Sequence, residues 1–102
     1  LPYFDYVICL NNTLGYIPEQ TKAIIAMKNL GKVVIISVYG KKFDDNLARD
    51  YFRSIGLEID NIEENNIIMK DFTTVTRYTR KDVELWGGKI ITTPIGYFSV
   101  IV

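Results

Sequence analysis

The residues of this 102-residue chain whose types could support chemistry follow directly on its first apolar run, residues 6–10. They are Asn11, Asn12 and Thr13, and Gly15 comes shortly after them. Their amide and hydroxyl groups donate and accept hydrogen bonds but carry no formal charge. They are therefore suited to orienting a polar ligand and poorly suited to acid, base or metal chemistry. The alternative is a turn with a helix cap, because such side chains often bond nearby backbone amides.

The composition argues against several other kinds of site. The chain has no histidine, which excludes Ser-His and Cys-His nucleophile systems. Its single cysteine, Cys9, lies inside the first apolar run, so neither an internal disulfide nor a cysteine-based metal site is expected. No glycine-rich phosphate loop is present. Twelve basic and twelve acidic residues cancel, so the long-range field that attracts nucleic acid is also missing.

Cysteine usage and hydropathy together predict the compartment. A lone cysteine without a partner fits a reducing environment. No apolar run approaches the ~20 residues of a membrane span, and no signal peptide is recognisable. We therefore expect a cytoplasmic protein that makes no contact with a membrane.

Two apolar runs predict the strands that would position the polar residues. Residues 6–10 and 33–38 lack polar alternation, which is typical of strands covered on both faces. Pro18 indicates a helix start between them, and that helix is predicted to end near Leu30, with Gly31 as a left-handed cap. Strands connected in this way pair in parallel.

The carboxyl ends of parallel strands meet at one edge of a sheet, where ligands bind in open α/β folds. Tyr39, at the end of the second run, is therefore predicted to lie beside Asn11 and Asn12. An aromatic side chain in that position can form the wall of a pocket.

The rest of the chain predicts a mixture of elements. Residues 44–55 have helical spacing and are followed by Gly56, and residues 57–62 alternate like a strand with one exposed face. The sequence leaves the structure of residues 67–88 open, although Thr79 and Asp82 have the spacing of a capping box. Two final strands are expected on either side of Pro94.

The order of these segments resembles the carboxyl-terminal half of a class I S-adenosylmethionine-dependent methyltransferase. The resemblance rests on residues 4–10 followed by 12–15, on residues 33–39, and on residues 51–52 with 55–57. It covers nearly the whole chain, from the fourth strand of that fold to its closing antiparallel hairpin. It implies a Rossmann-like, methyltransferase-type α/β half-sheet: parallel strands with helices and a C-terminal antiparallel hairpin, in one domain of residues 1–102.

The resemblance also implies a site and a reaction. Leu10, Asn11 and Asn12 would face the methionine portion of S-adenosylmethionine and its transferring methyl group, and Tyr16 and Tyr39 would lie on the substrate side. Methyl transfer depends on an in-line approach, so uncharged polar residues suffice for an acceptor that is already nucleophilic. No metal and no acid or base catalyst is implied, and the acceptor is left unspecified.

One departure from the family is large. The glycine-rich loop and the acidic residue that hold the cofactor in such enzymes have no counterpart here. We therefore expect this chain to be the C-terminal part of a larger methyltransferase domain, inactive alone and able to bind S-adenosylmethionine weakly or not at all.

Two other interpretations stay open. One is a non-catalytic α/β interaction or regulatory module that associates through an open sheet edge. Whether the chain is part of a methyltransferase or such a module, the strand of residues 6–10 is expected to offer an apolar edge for homo-oligomer formation. The other is a binding domain for an anionic ligand at the helix start near Pro18, although no cationic residue flanks that position.

Overall fold

The part of the chain that the structure describes folds into two β-sheets and three α-helices. The structure, a computed structural model, describes residues 3–102. In chain order the elements are β1 Phe4–Cys9, α1 Gln20–Leu30, β2 Gly31–Tyr39, α2 Asp45–Ser54, β3 Ile59–Glu63, β4 Asn66–Met69, β5 Thr74–Thr76, α3 Arg80–Glu84, β6 Lys89–Thr92 and β7 Gly96–Ile101. A 3₁₀ turn, Thr13–Tyr16, lies between β1 and α1. None of the helices within these residues has the length and apolar character needed to span a membrane.

The larger sheet has four strands in the order β1-β2-β7-β6. β1 and β2 run parallel, with Tyr6 opposite Val33 and Cys9 opposite Ile36, which confirms the pairing predicted for the first two strands. β7 lies antiparallel between β2 and β6. The smaller sheet consists of β3, β4 and β5 and is entirely antiparallel.

The predicted Rossmann-like half-sheet is therefore wrong. Parallel pairing is limited to β1 and β2, the sheet that contains them is mixed, and a separate antiparallel sheet follows. The physical reason is the length of the connections. A parallel pair needs a crossover of about a dozen residues or more, whereas β3, β4 and β5 are joined by short turns that permit only antiparallel hairpins.

Helices α1 and α3 cover one face of the mixed sheet. Successive side chains of a strand point to opposite faces. From β2, Val34, Ile36 and Val38 pack on this face against Ile24 of α1 and Val83 of α3. This cluster is the main hydrophobic core.

The opposite face of the mixed sheet is left open by residues 3–102, which contradicts the prediction that both apolar runs are covered on two faces. Tyr6 is 63% and Ile8 59% exposed on β1, and Val33 and Ile35 of β2 belong to neither core cluster. The reason lies in α2, which packs on the smaller sheet. There its residues Ala48 and Phe52 form a second core with Ile67, Met69 and Val75.

Several helix ends are as predicted, and two differ. Asp44 caps α2 by accepting from the Leu47 amide at 2.9 Å, and Thr79 and Asp82 form the predicted capping box. Helix α1 begins at Gln20, two residues after the predicted Pro18. Gly31 is extended, with φ −153°, and opens β2 instead of capping α1.

Candidate functional site

A sharp turn at the carboxyl end of β1 begins the candidate site. Asn11 and Asn12 both have left-handed backbone conformations, with φ 56° and 59°. Asparagine tolerates this region better than most residues, because its short amide can bond locally. The backbone N–H of Asn11 donates to Ser37 Oγ at 2.8 Å, and the backbone N–H of Asn12 donates to the Ser37 carbonyl at 3.0 Å. The turn is thereby fixed to the end of β2.

Asn12 is fully buried and connects the two sheets. Its Oδ1 accepts from the Tyr39 amide at 3.0 Å, and its Nδ2 donates to the Thr76 carbonyl at 3.0 Å. A Cβ at Gly15 would lie 2.3 Å from Asn12 Nδ2, so glycine is required beside it. Both ends of the amide are in use, and the predicted cofactor-binding role of Asn12 has no free group to support it.

The neighbouring residues are more accessible. Asn11 is exposed, and its side chain makes no hydrogen bond to any residue between 3 and 102. Leu10 is also exposed, but its carbonyl accepts from the amide and the hydroxyl of Thr13, the latter at 2.6 Å. The side-chain amide of Asn11 and the side chain of Leu10 are therefore the groups that are accessible just after the end of β1.

A small cavity of about 190 Å³ lies where β1 and β2 end and the connection between β6 and β7 passes over them. Asn11 and Ser37 give it a polar wall, and Tyr39, Tyr97 and Phe98 give it an aromatic one. Pockets that enclose a drug-sized ligand measure roughly 300–1,000 Å³. This cavity is large enough for one end of such a ligand only.

The two tyrosines predicted on the substrate side border different cavities. Tyr39 packs on Phe43 with ring centroids 4.3 Å apart and lines the small cavity. Tyr16 lines a second cavity of about 400 Å³, between α2 and the smaller sheet. Tyr51 of α2 lies near both phenols.

The ionisation of these phenols is suppressed. Burial raises the pKa of Tyr39 from 10.0 to about 12, with smaller contributions from Tyr51 and Tyr16. The pKa of Tyr16 is also raised, mainly by burial and to a smaller extent by the neighbouring Tyr51. At neutral pH both side chains are protonated and serve as hydrogen-bonding groups and apolar walls, so neither is suited to act as a base.

We expect this pKa shift to appear as an alkaline loss of stability. Because the folded pKa of Tyr39 lies above the unfolded value of about 10, its contribution to stability is complete below pH 10 and disappears as the pH rises towards 12. Unfolding by urea at a series of pH values should show a smaller alkaline loss for Tyr39→Phe than for the unmodified protein. Equal losses would contradict the assigned cause.

Ser37 and Tyr51 are among the residues at or near the site that sequence reasoning missed. Ser37 lies within the apolar run of β2. It is the one polar residue of that run, and this was the signal by which it could have been found. Tyr51 lies within the helix predicted for residues 44–55, and nothing in its spacing indicates that it lies near Tyr39.

The cavity at this edge is too small to enclose the whole of S-adenosylmethionine. The Asn11 side-chain amide can bond a polar ligand and the Tyr39 ring offers apolar contact, whereas Leu10 does not line the cavity. The cavity does not extend to hold a ribose or an adenine. Within residues 3–102 there is also no group of three His, Cys, Asp or Glu side chains that could hold a metal ion.

No protein family and no curated protein matches the chain. A function for the site is therefore inferred from its own geometry.

Proposed function

We propose that this chain contributes the methyl-donor edge of an S-adenosylmethionine-dependent methyltransferase and acts on an acceptor that is already nucleophilic. The observation that carries the proposal is the adjoining carboxyl ends of parallel β1 and β2, where Asn11, Ser37 and Tyr39 line one cavity. The support is local, since the sheet as a whole is mixed.

The chemistry asked of these residues is positioning. When bound, S-adenosylmethionine supplies an electrophilic methyl group. Asn11 would orient the polar end of the methionine portion, and the Tyr39 ring would limit the approach of an acceptor to one direction. A fixed approach of this kind is a major source of rate enhancement. Burial raises the pKa of both nearby phenols, so neither of them supplies a base to the acceptor.

The remaining groups that hold the cofactor would come from a segment outside these 102 residues. The chain alone is therefore expected to bind S-adenosylmethionine in the millimolar range and to do so through the methionine portion. Saturation-transfer NMR measures which ligand protons contact the protein. We expect the strongest transfer at the methyl and methionine protons and little at the adenine ring.

The matched variants are Asn11→Gly and Phe72→Gly. Both positions have a positive φ and an exposed side chain, but Phe72 lies in the turn after β4, on the other sheet. Asn11→Gly should abolish most of the transfer, whereas Phe72→Gly should leave it unchanged. Saturation transfer that is strongest at the adenine protons, or that is equal in the two variants, would contradict binding of the methionine portion at this edge. Micromolar affinity measured by calorimetry would contradict the expectation that the chain holds only part of the cofactor site.

A second candidate function is supported by a different observation. The exposed apolar side chains of β1, on an edge strand beside an open sheet face, favour a non-catalytic module that associates with another protein surface. This candidate needs no cofactor. It predicts association without any transfer from S-adenosylmethionine protons.

A further inference from the structure

We propose that two copies of this 102-residue chain form a symmetric dimer by packing their open sheet faces against each other. The proposal does not depend on methyl transfer. Its basis is the face of the mixed sheet opposite α1 and α3, here called the open face, which consists of the exposed Tyr6, Ile8 and Ile91 and the partly buried Val33, Ile35, Phe98 and Val100.

The registers make the open face continuous across all four strands. Ile8 lies opposite Ile35, which in turn lies opposite Val100. In the next row Phe98 lies opposite Ile91. The apolar side chains are therefore neighbours in space and form a patch, whereas singly exposed apolar residues are ordinary on a protein surface.

The size of the patch favours a second copy. With roughly 200 Å² for a complete aromatic side chain, the exposed fractions on the open face amount to on the order of 500 Å² per copy. Two copies would bury about 1,000 Å² in total, which is the lower limit of a specific interface. The dimer is therefore expected to dissociate in the micromolar range.

Charge does not oppose the association. The chain carries 12 basic and 12 acidic residues, so two copies do not repel each other at long range. Of the paired positions that form the open face, Lys89 alone is charged, and it lies at the corner of the sheet on the short outer strand β6. A two-fold axis places the same patch on both copies, as closed dimers require.

Edge-to-edge pairing through β1 is the competing arrangement. β1 is a six-residue edge strand without proline or lysine, the residues that commonly protect such edges. That arrangement would leave Ile35, Phe98 and Ile91 exposed, whereas packing of the open faces covers these three and the side chains of β1. The position of Ile91 on the far strand β6 makes the two arrangements distinguishable.

The test is sedimentation equilibrium of the full chain and three lysine variants. Ile8→Lys lies on β1 and Ile91→Lys on β6, and both introduce an unpaired charge into the open face. Each should raise the dissociation constant about 100-fold or more. Leu85→Lys is the matched control because Leu85, which directly follows α3, is 85% exposed on the covered side of the sheet, and it should leave the dimer unchanged.

Thermal unfolding of each variant verifies that the monomer is folded. A full chain that stays monomeric at its highest attainable concentration would overturn the proposal. Dissociation by Ile8→Lys with an intact dimer in Ile91→Lys would also overturn it, in favour of edge pairing. Ile8, Ile91 and Leu85 do not line the cavity at the ends of β1 and β2, so the lysine variants keep the residues proposed to contact S-adenosylmethionine, and the dimer and the proposed function can fail independently.

Discussion

Replacing Asn12 by alanine is expected to lower the free energy of unfolding by about 4 kcal/mol. The change leaves the Tyr39 amide and the Thr76 carbonyl without their side-chain partner at the junction of the two sheets. It also places alanine at φ 59°, a conformation that alanine adopts unfavourably. Since small domains are stable by about 5–15 kcal/mol in total, a loss of this size should be evident in urea unfolding.

Asn11→Ala is the matched control for this prediction. Asn11 has nearly the same backbone conformation, φ 56°, but its side chain is exposed. Only the backbone cost of about 1 kcal/mol should remain. If the two alanine variants unfold at similar urea concentrations, the Asn12 side chain does not connect the sheets as described.

The second large effect is expected at Arg77. Its guanidinium is buried and donates to the carbonyls of Phe43, at 3.0 Å, and Glu64, and to Asp45 Oδ1 at 2.9 Å. It thereby joins the start of α2 to the turn between β3 and β4. Arg77→Met should cost about 3 kcal/mol, because two backbone carbonyls lose their charged donor. The measurement is again urea unfolding.

Asp45→Asn separates the ion pair from the backbone bonds. The Asp45 side chain is 60% exposed, so its attraction to Arg77 is screened by water and is expected to contribute less than about 1 kcal/mol. A loss from Asp45→Asn as large as that from Arg77→Met would assign the stability to the ion pair and contradict this account.

The parallel pairing of β1 and β2 could be predicted from sequence because both runs are apolar and a helix of crossover length separates them. The sequence could not predict whether one or both faces of these strands are covered. A strand buried on both faces and a strand with one open face can have the same composition, since the sequence does not record whether a partner covers Tyr6 and Ile8. The wrong fold class has a related cause, because α2 is compatible with either sheet and packs on the smaller one.

The placement of the polar residues at the ends of the strands could be predicted, whereas their contacts could not. Asn11, Asn12 and Tyr39 do meet at one edge, as the parallel strands require. The buried role of Asn12 depends on Thr76, which is 64 residues away in the chain, and local spacing contains no information on such a contact. Ser37 and Tyr51 were missed for the same reason, because each acts across elements.

The most direct test of the central claim is an amide chemical-shift titration of the chain with S-adenosylmethionine. We predict saturable shifts that are largest at Leu10, Asn11 and Tyr39, with an affinity in the millimolar range, and no comparable shifts for Asn11→Gly. The absence of saturable shifts, or a maximum on the smaller sheet or along α1, would contradict the assignment of the carboxyl ends of β1 and β2 as the methyl-donor edge.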